Sequence, residues 1–233
     1  LSINNNQLDA AMDEVETLLR HQPNFKLAQL VKGDLLLARA QPIQGFGNVP
    51  GVPQERLEAL RDEARVRLQR FREQPPALPP KYLWQLDNRQ SHVIVVDTSQ
   101  STLYIYRNEN GEARYVSDFY VSIGKLGTDK MVEGDQKTPL GVYFINSSLP
   151  RSKLTDFYGS GAFPLNYPNE WDRKLGRNGY GIWLHGTPGD TYSRPPRASN
   201  GCVVLSNEDL ETVGRILQVG ITPVIITSQA DSF

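Results

Sequence analysis

Apolar positions recur at helical spacing along residues 6–40. Leu8, Ala11, Met12, Val15, Leu18 and Leu19 form one stripe, and Leu27, Leu30, Val31, Leu35 and Ala38 form a second, with Gln22-Pro23-Asn24 between them. The pattern predicts a helical hairpin. A loop rich in Gly and Pro at 41–53 leads to an arginine-rich helix over 54–73, with Leu57, Leu60, Ala64, Val66, Leu68 and Phe71 on its apolar positions and its charges on a solvated face. The run PPALPP at 75–80 enforces a stiff, extended connection. Residues 1–74 are therefore read as a small all-α appendage, 75–81 as a linker and 82–233 as a separate main domain.

Beyond the linker the period changes from 3.6 to strands. Residues 92–97 (HVIVVD) are a short apolar run and 102–106 (TLYIY) alternate, which predicts a hairpin across 98–101. Asn110-Gly111 marks a second tight turn, since both of its central positions favour positive φ, and a strand follows near 115–123. Further strands are expected at 141–145, 180–185, 203–205 and 222–227. One helix is expected at 207–218, capped by Ser206 with Asp209 answering as an approximate capping box; Leu210, Val213 and Leu217 form its buried stripe and Gly220 ends it. The segment 146–179 reads as a long irregular stretch whose Phe157, Tyr158, Phe163, Tyr167 and Trp171 suit either a lid over a cleft or a pinned surface excursion. Many short strands and one late helix indicate a β-rich α+β domain.

Composition narrows the partners. Lys plus Arg is 25 against Asp plus Glu 26, a balance that argues against a nucleic-acid or strongly anionic membrane surface. Nowhere is there an apolar run long enough to span a bilayer, nor a positively charged start followed by an apolar stretch. Three histidines and one cysteine supply no ligand cluster with zinc-like spacing, so neither metal nor cofactor is expected.

The single cysteine, Cys202, follows Gly201, and His185 stands upstream across an interval rich in Gly, Pro and Arg. Thiolate chemistry needs a sulfur nucleophile, a base for its proton and backbone N–H groups for an oxyanion. In a strand over 180–185, Trp183 and His185 share one face while Ile182 and Leu184 enter the core, which leaves His185 free for chemistry at the strand's exit. His21 and His92, in the appendage and at the domain boundary, are poorer candidates. General-base work by His185 implies activity that falls with acidification within about pH 5–8, the range in which an ordinary imidazole titrates.

These residues resemble the L,D-transpeptidase catalytic domain, the YkuD-type family. Its marks are a histidine followed, after a variable loop, by Ser/Thr-x-Gly-Cys, here His185 and Ser199-Asn200-Gly201-Cys202, and an upstream Thr-Pro-x-Gly-x-aromatic segment, here Thr138 to Tyr143. The resemblance spans about 91–228; the N-terminal hairpin separately has the length of one tetratricopeptide-like unit, with Pro23, Gly33 and Ala38 fitting loosely. Two readings of that hairpin stay open, packing on its own main domain or docking a protein partner. What the family resemblance implies is attack by Cys202 on the third residue, usually meso-diaminopimelate, of a peptidoglycan tetrapeptide stem, with release of D-Ala. His185 is the implied base, oriented by the backbone carbonyl of Gly186. The N–H groups of Gly201 and Cys202 form the implied oxyanion hole, and an amine of another stem or water resolves the thioester. An exported protein of the periplasm or cell envelope follows from the same resemblance.

Two departures bear on the reaction. The commoner signature has His before Gly-Cys where this chain has Asn200, and often Arg two positions after Cys where this chain has Val204. Arg194 or Arg197 is expected to take over the hold on a substrate carboxylate, with Trp183, Tyr192, Ser199 and Asn200 as further substrate contacts. Three functions follow: a transpeptidase, a carboxypeptidase or amidase using water on the same thioester, and a non-catalytic wall-binding or scaffold protein.

Overall fold

Strand β1 (His92–Asp97) is apolar from Val93 to Val96 because both of its faces are covered. Ile94 and Val96 enter the main core, while Val93 and Val95 pack with Leu83, Leu86, Tyr104 and Tyr106 on the opposite side. The computed structural model describes residues 7–43, 45–48, 51–73 and 79–230. Of the segment expected to link two units, residues 75–78 lie outside the described residues. The helices α1 (Leu8–His21), α2 (Lys26–Ala40) and α3 (Gln54–Arg72) come first in the chain. Ala11 and Met12 of α1 meet Leu35 of α2, as the two apolar stripes require.

A five-stranded mixed sheet carries β1. Its order is β3-β2-β1-β11-β5, formed by β2 (Thr102–Glu109), β3 (Glu112–Tyr120), β5 (Gly141–Phe144) and β11 (Pro223–Thr227). The β1–β2 hairpin forms where alternation places it, and the β2–β3 turn holds Asn110 at φ 57° and Gly111 at φ 94°. A short two-stranded sheet pairs β4 (Ile123–Gly124) with β9 (Arg197–Ser199), so the strand expected near 115–123 breaks in two. The third sheet runs β10-β8-β7-β6, from β6 (Leu149–Pro150), β7 (Gly161–Pro164), β8 (Trp183–His185) and β10 (Val203–Val204). Between the sheets lie Ile94, Leu103, Ile105, Tyr143, Leu184, Val203 and Val224, closed at one end by Leu210 and Val213 of α5 (Asn207–Gly214).

Three expectations are corrected. The segment 146–179 is not irregular: it contains β6, β7 and the helix α4 (Glu170–Lys174), whose Asn169 and Asp172 make a reciprocal capping box. Strands of two to four residues are too short to show alternation. The late helix ends at Gly214 rather than 218, and there a Cβ would meet the Phe163 ring at 2.8 Å. Leu217 still packs on the core from the turn beyond. Strand β8 begins only at Trp183, although Ile182 and Leu184 are both buried as expected.

The helices pack on the main domain. Arg70 pairs with Asp118 of β3, with Nε to Oδ1 at 2.7 Å; Gln22 bonds Glu208 at 2.7 Å. Phe25 and Tyr192 stack with ring centroids 4.8 Å apart. The hairpin thus packs on the main domain, the first of its two readings. Among the described residues no helix is long and apolar enough to cross a membrane.

Candidate active site

Strands β8 and β10 lie side by side and parallel, with Val203 opposite Leu184 and Val204 opposite His185. Leu184 and Val203 point into the core, so alternation turns Trp183, His185 and Cys202 to the other face. Cys202 falls opposite Trp183, which places His185 one strand across and two residues along, about 5 Å by about 7 Å in strand geometry.

His185 is buried, and its Nδ1 lies 2.7 Å from the carbonyl oxygen of Gly186. A carbonyl can only accept, so Nδ1 carries the proton and Nε2 keeps its lone pair. Burial pushes the imidazole pKa down to about 4; the Gly186 carbonyl opposes this, and the Arg194 charge adds to it. The side chain is therefore a neutral base of fixed tautomer at neutral pH. Gly186 is itself held, its N–H donating to the Tyr158 carbonyl at 3.1 Å. A Cβ at 186 would lie 2.1 Å from Oδ1 of Asn207. That amide accepts from Ser160 N–H at 2.8 Å and donates to the Thr187 carbonyl at 2.9 Å. Asn207 thus ties the exit of β8 to the start of α5. Its role is not readable in the sequence, where it is simply the first residue after a helix cap.

The cysteine sits at the end of a strained turn. Gly201 has φ 121°, and a Cβ there would be 2.6 Å from the Lys137 carbonyl oxygen. Thr138 Oγ1 donates to the Gly201 carbonyl and accepts from Gly124 N–H, both at 2.9 Å. Ser199 Oγ donates to the Cys202 carbonyl at 2.6 Å and accepts from Gly201 N–H at 3.1 Å. The Gly201 N–H, expected to serve an oxyanion, is thereby occupied. The Cys202 N–H has no hydrogen-bond partner among the described residues. Sγ donates to the Gly181 carbonyl at 3.3 Å, which a thiol can do and a thiolate cannot. Burial pushes the thiol pKa up, against the Trp183 N–H and the charges of Arg194 and Lys130. A protonated sulfur and a neutral imidazole on one face are the acid and base that thiol chemistry requires.

The L,D-transpeptidase catalytic-domain model, YkuD, matches residues 91–226. The chain belongs to this family. Among solved structures, Bd1075 from Bdellovibrio bacteriovorus is 31% identical with TM-score 0.57, over 66% of this chain and 55% of its own. The helical cell shape determining protein Pgp2 from Campylobacter jejuni is 29% identical with TM-score 0.55, over 61% of this chain and 49% of its own. The chain thus spans about half the length of these relatives. Curated proteins gave no significant match.

Within this YkuD-type domain the residues expected to contact substrate separate. Trp183 is half-buried and lies against Tyr158, ring centroids 4.7 Å apart. Tyr158 and Phe157 in turn lean on His185 at 5.2 and 5.7 Å. Of the aromatics expected to form a lid, these two reach the site; Phe163 and Tyr167 pack on the core and Trp171 is exposed elsewhere. Arg194 belongs to the site, its guanidinium 4.9 Å above the Phe157 ring. Arg197 does not: it is exposed on β9 and lines a groove with Asp62 and Arg65 of α3. Tyr192 is turned into the apolar cluster of Phe25, Leu60 and Ala64, because the helices offer its ring burial that solvent does not. Ser199 is buried with its hydroxyl spent inside the turn, so it shapes the loop of Cys202 instead of meeting a ligand. Asn200 is exposed beside the cysteine. Lys130, which pairs with Asp135 at 2.7 Å while buried, is a charge near the sulfur that no local pattern marks.

Proposed function

We propose that this chain is a cysteine-dependent peptidoglycan L,D-transpeptidase of the cell envelope. The observation that carries the reading is the pairing of a buried, neutral His185, whose Nδ1–H is fixed on Gly186, with a protonated Cys202 on the same face. Nε2 accepts the thiol proton as Sγ attacks the carbonyl of the third stem residue. The oxyanion meets the Cys202 N–H. The Gly186 carbonyl steadies the imidazolium through Nδ1–H, while burial makes that cation short-lived and favours delivery of its proton to the departing D-Ala amine. A thioester remains. Nε2 then takes a proton from the incoming amine of another stem, which displaces the sulfur and forms a 3-3 cross-link. Arg194 is the cation that bears on both Cys202 and His185, and it is the better candidate to hold a stem carboxylate. The likeness to Pgp2, a helical cell shape determining protein, supports a wall-modifying role.

A second reading has water resolve the thioester, giving a tripeptide. It is favoured by the exposed, uncharged Asn200 where commoner members carry histidine. Incubating the chain and its Cys202→Ala variant with purified disaccharide-tetrapeptide, followed by mass analysis, decides between them. Cross-linked dimers are expected; tripeptide without dimers makes the chain a carboxypeptidase, and no Cys202-dependent product overturns both.

The pH profile carries its own prediction. An imidazole with pKa about 4 is protonated only below that value, so kcat/KM is expected to stay flat from about pH 8 down to about pH 5.5 and to fall with a midpoint near 4. Burial thus moves the acid limb out of the range expected for an ordinary histidine. A midpoint near 6.5 in the free enzyme would mean that His185 is solvated or is not the base.

A further inference from the structure

The α3 helix carries a buried acid that the chemistry above does not use. Glu63 is 1% exposed; its Oε1 lies 3.0 Å from Arg67 one turn on and accepts from Ser193 Oγ at 2.6 Å. Arg67 sits over the ring of Tyr120, 4.0 Å from its centroid. The Tyr120 hydroxyl donates to the backbone carbonyl of Arg194 at 2.8 Å. One ion pair on α3 therefore holds two consecutive residues of the loop between His185 and Cys202, Ser193 directly and Arg194 through Tyr120. Alongside, Tyr192 is stacked on Phe25 and the Gly189 carbonyl accepts from Asn24 at 3.2 Å. The side chain so fixed is the one that reaches the site: Arg194 lies over Phe157, and Phe157 lies against His185.

We propose that the Glu63–Arg67 pair of α3 is a positioning device for Arg194, by which the N-terminal helices complete the active site. An ionised acid loses hydration on burial and is held only by compensating partners, and here those partners lead to Arg194. The charged groups that bear on the sulfur are Arg194 and Lys130, with Tyr158 as its titratable neighbour and His185 on the same face of the adjoining strand. Displacing the Arg194 cation removes the larger of the two positive charges' contributions that favour the thiolate. The inference rests on Cys202 being the nucleophile but on no particular substrate.

The test is alkylation of Cys202 by iodoacetamide in the full chain, followed by intact mass as a function of pH. Arg194→Ala is expected to raise the midpoint by about one pH unit and to slow alkylation at pH 7 roughly tenfold. Glu63→Ala is expected to shift the profile in the same direction by roughly threefold or more in rate, and to add nothing in the Arg194→Ala background. Glu63→Gln keeps an acceptor for Ser193 but loses the ion pair with Arg67, and is expected to restore only part of the rate. Should Glu63→Ala fail to fold, Ser193→Ala carries the same comparison with a smaller shift. Wild-type profiles for both Glu63→Ala and Ser193→Ala, or effects that add in full to that of Arg194→Ala, would overturn the proposal. Because no stem peptide is involved, failure here is distinct from failure of the proposed reaction.

Discussion

The His185→Ala variant is expected to lose about 10³–10⁴ in kcat/KM on tetrapeptide stems, Cys202→Ala to lose at least as much, and the double variant to be no worse than Cys202→Ala alone. The reason lies in the resting protonation states. The thiol is raised by burial and bonded to the Gly181 carbonyl, so little thiolate exists without help. Nε2 of His185, freed by the Nδ1–H bond to Gly186, lies on the same face and is the proposed proton acceptor. Nucleophile and base then act as one unit, and removing both costs what removing the nucleophile costs. Steady-state kinetics, with intact mass to detect a thioester, checks this. If His185→Ala retained a tenth of the activity, the base would have to lie elsewhere, and His92, on the first residue of β1, offers no route to the sulfur.

Gly201→Ala is expected to lower kcat about 10²-fold with a smaller change in KM, and to destabilise the fold by about 1–3 kcal/mol. A side chain at φ 121° is strained in itself, and its Cβ would press on the Lys137 carbonyl oxygen at 2.6 Å. Relief requires the turn to move. That turn aims the free Cys202 N–H and is tied through Thr138 to Gly124 and through Ser199 to the Cys202 carbonyl. The loss should therefore appear in the step that develops the oxyanion. Thermal unfolding and kinetics on the same preparation separate the two effects; wild-type kcat in a destabilised protein would remove the Cys202 N–H from the mechanism.

Much of the architecture is written in local patterns. Alternation in residues 102–106, the Asn110-Gly111 turn and the apolar stripes of α1 and α2 each follow from side-chain geometry within a few residues, and each recurs in the fold. His185, Gly201 and Cys202 are legible as a group because a thiol, a base and a glycine that lets the backbone close up are what acyl chemistry needs, whereas Gly186 enters only through the family resemblance. Strands β6, β7 and β9 leave no such trace, since two to four residues cannot establish a period and their pairing comes from distant segments.

The clearest division runs through the loop between His185 and Cys202. By itself the sequence singled out Cys202, His185 and Gly201 as the candidates for thiol chemistry and put His185 at the end of a strand. It placed Tyr192, Arg194 and Arg197 on equal terms, as polar or aromatic residues of one Pro-rich interval. Tertiary structure sends them three ways, Tyr192 into the helices beside Phe25, Arg194 over Phe157 toward the imidazole, and Arg197 outward along α3. It also decided the protonation of His185 and the confinement of Ser199 to its own turn. Burial, desolvation and long-range contact depend on what the rest of the chain brings alongside, and no local spacing encodes them.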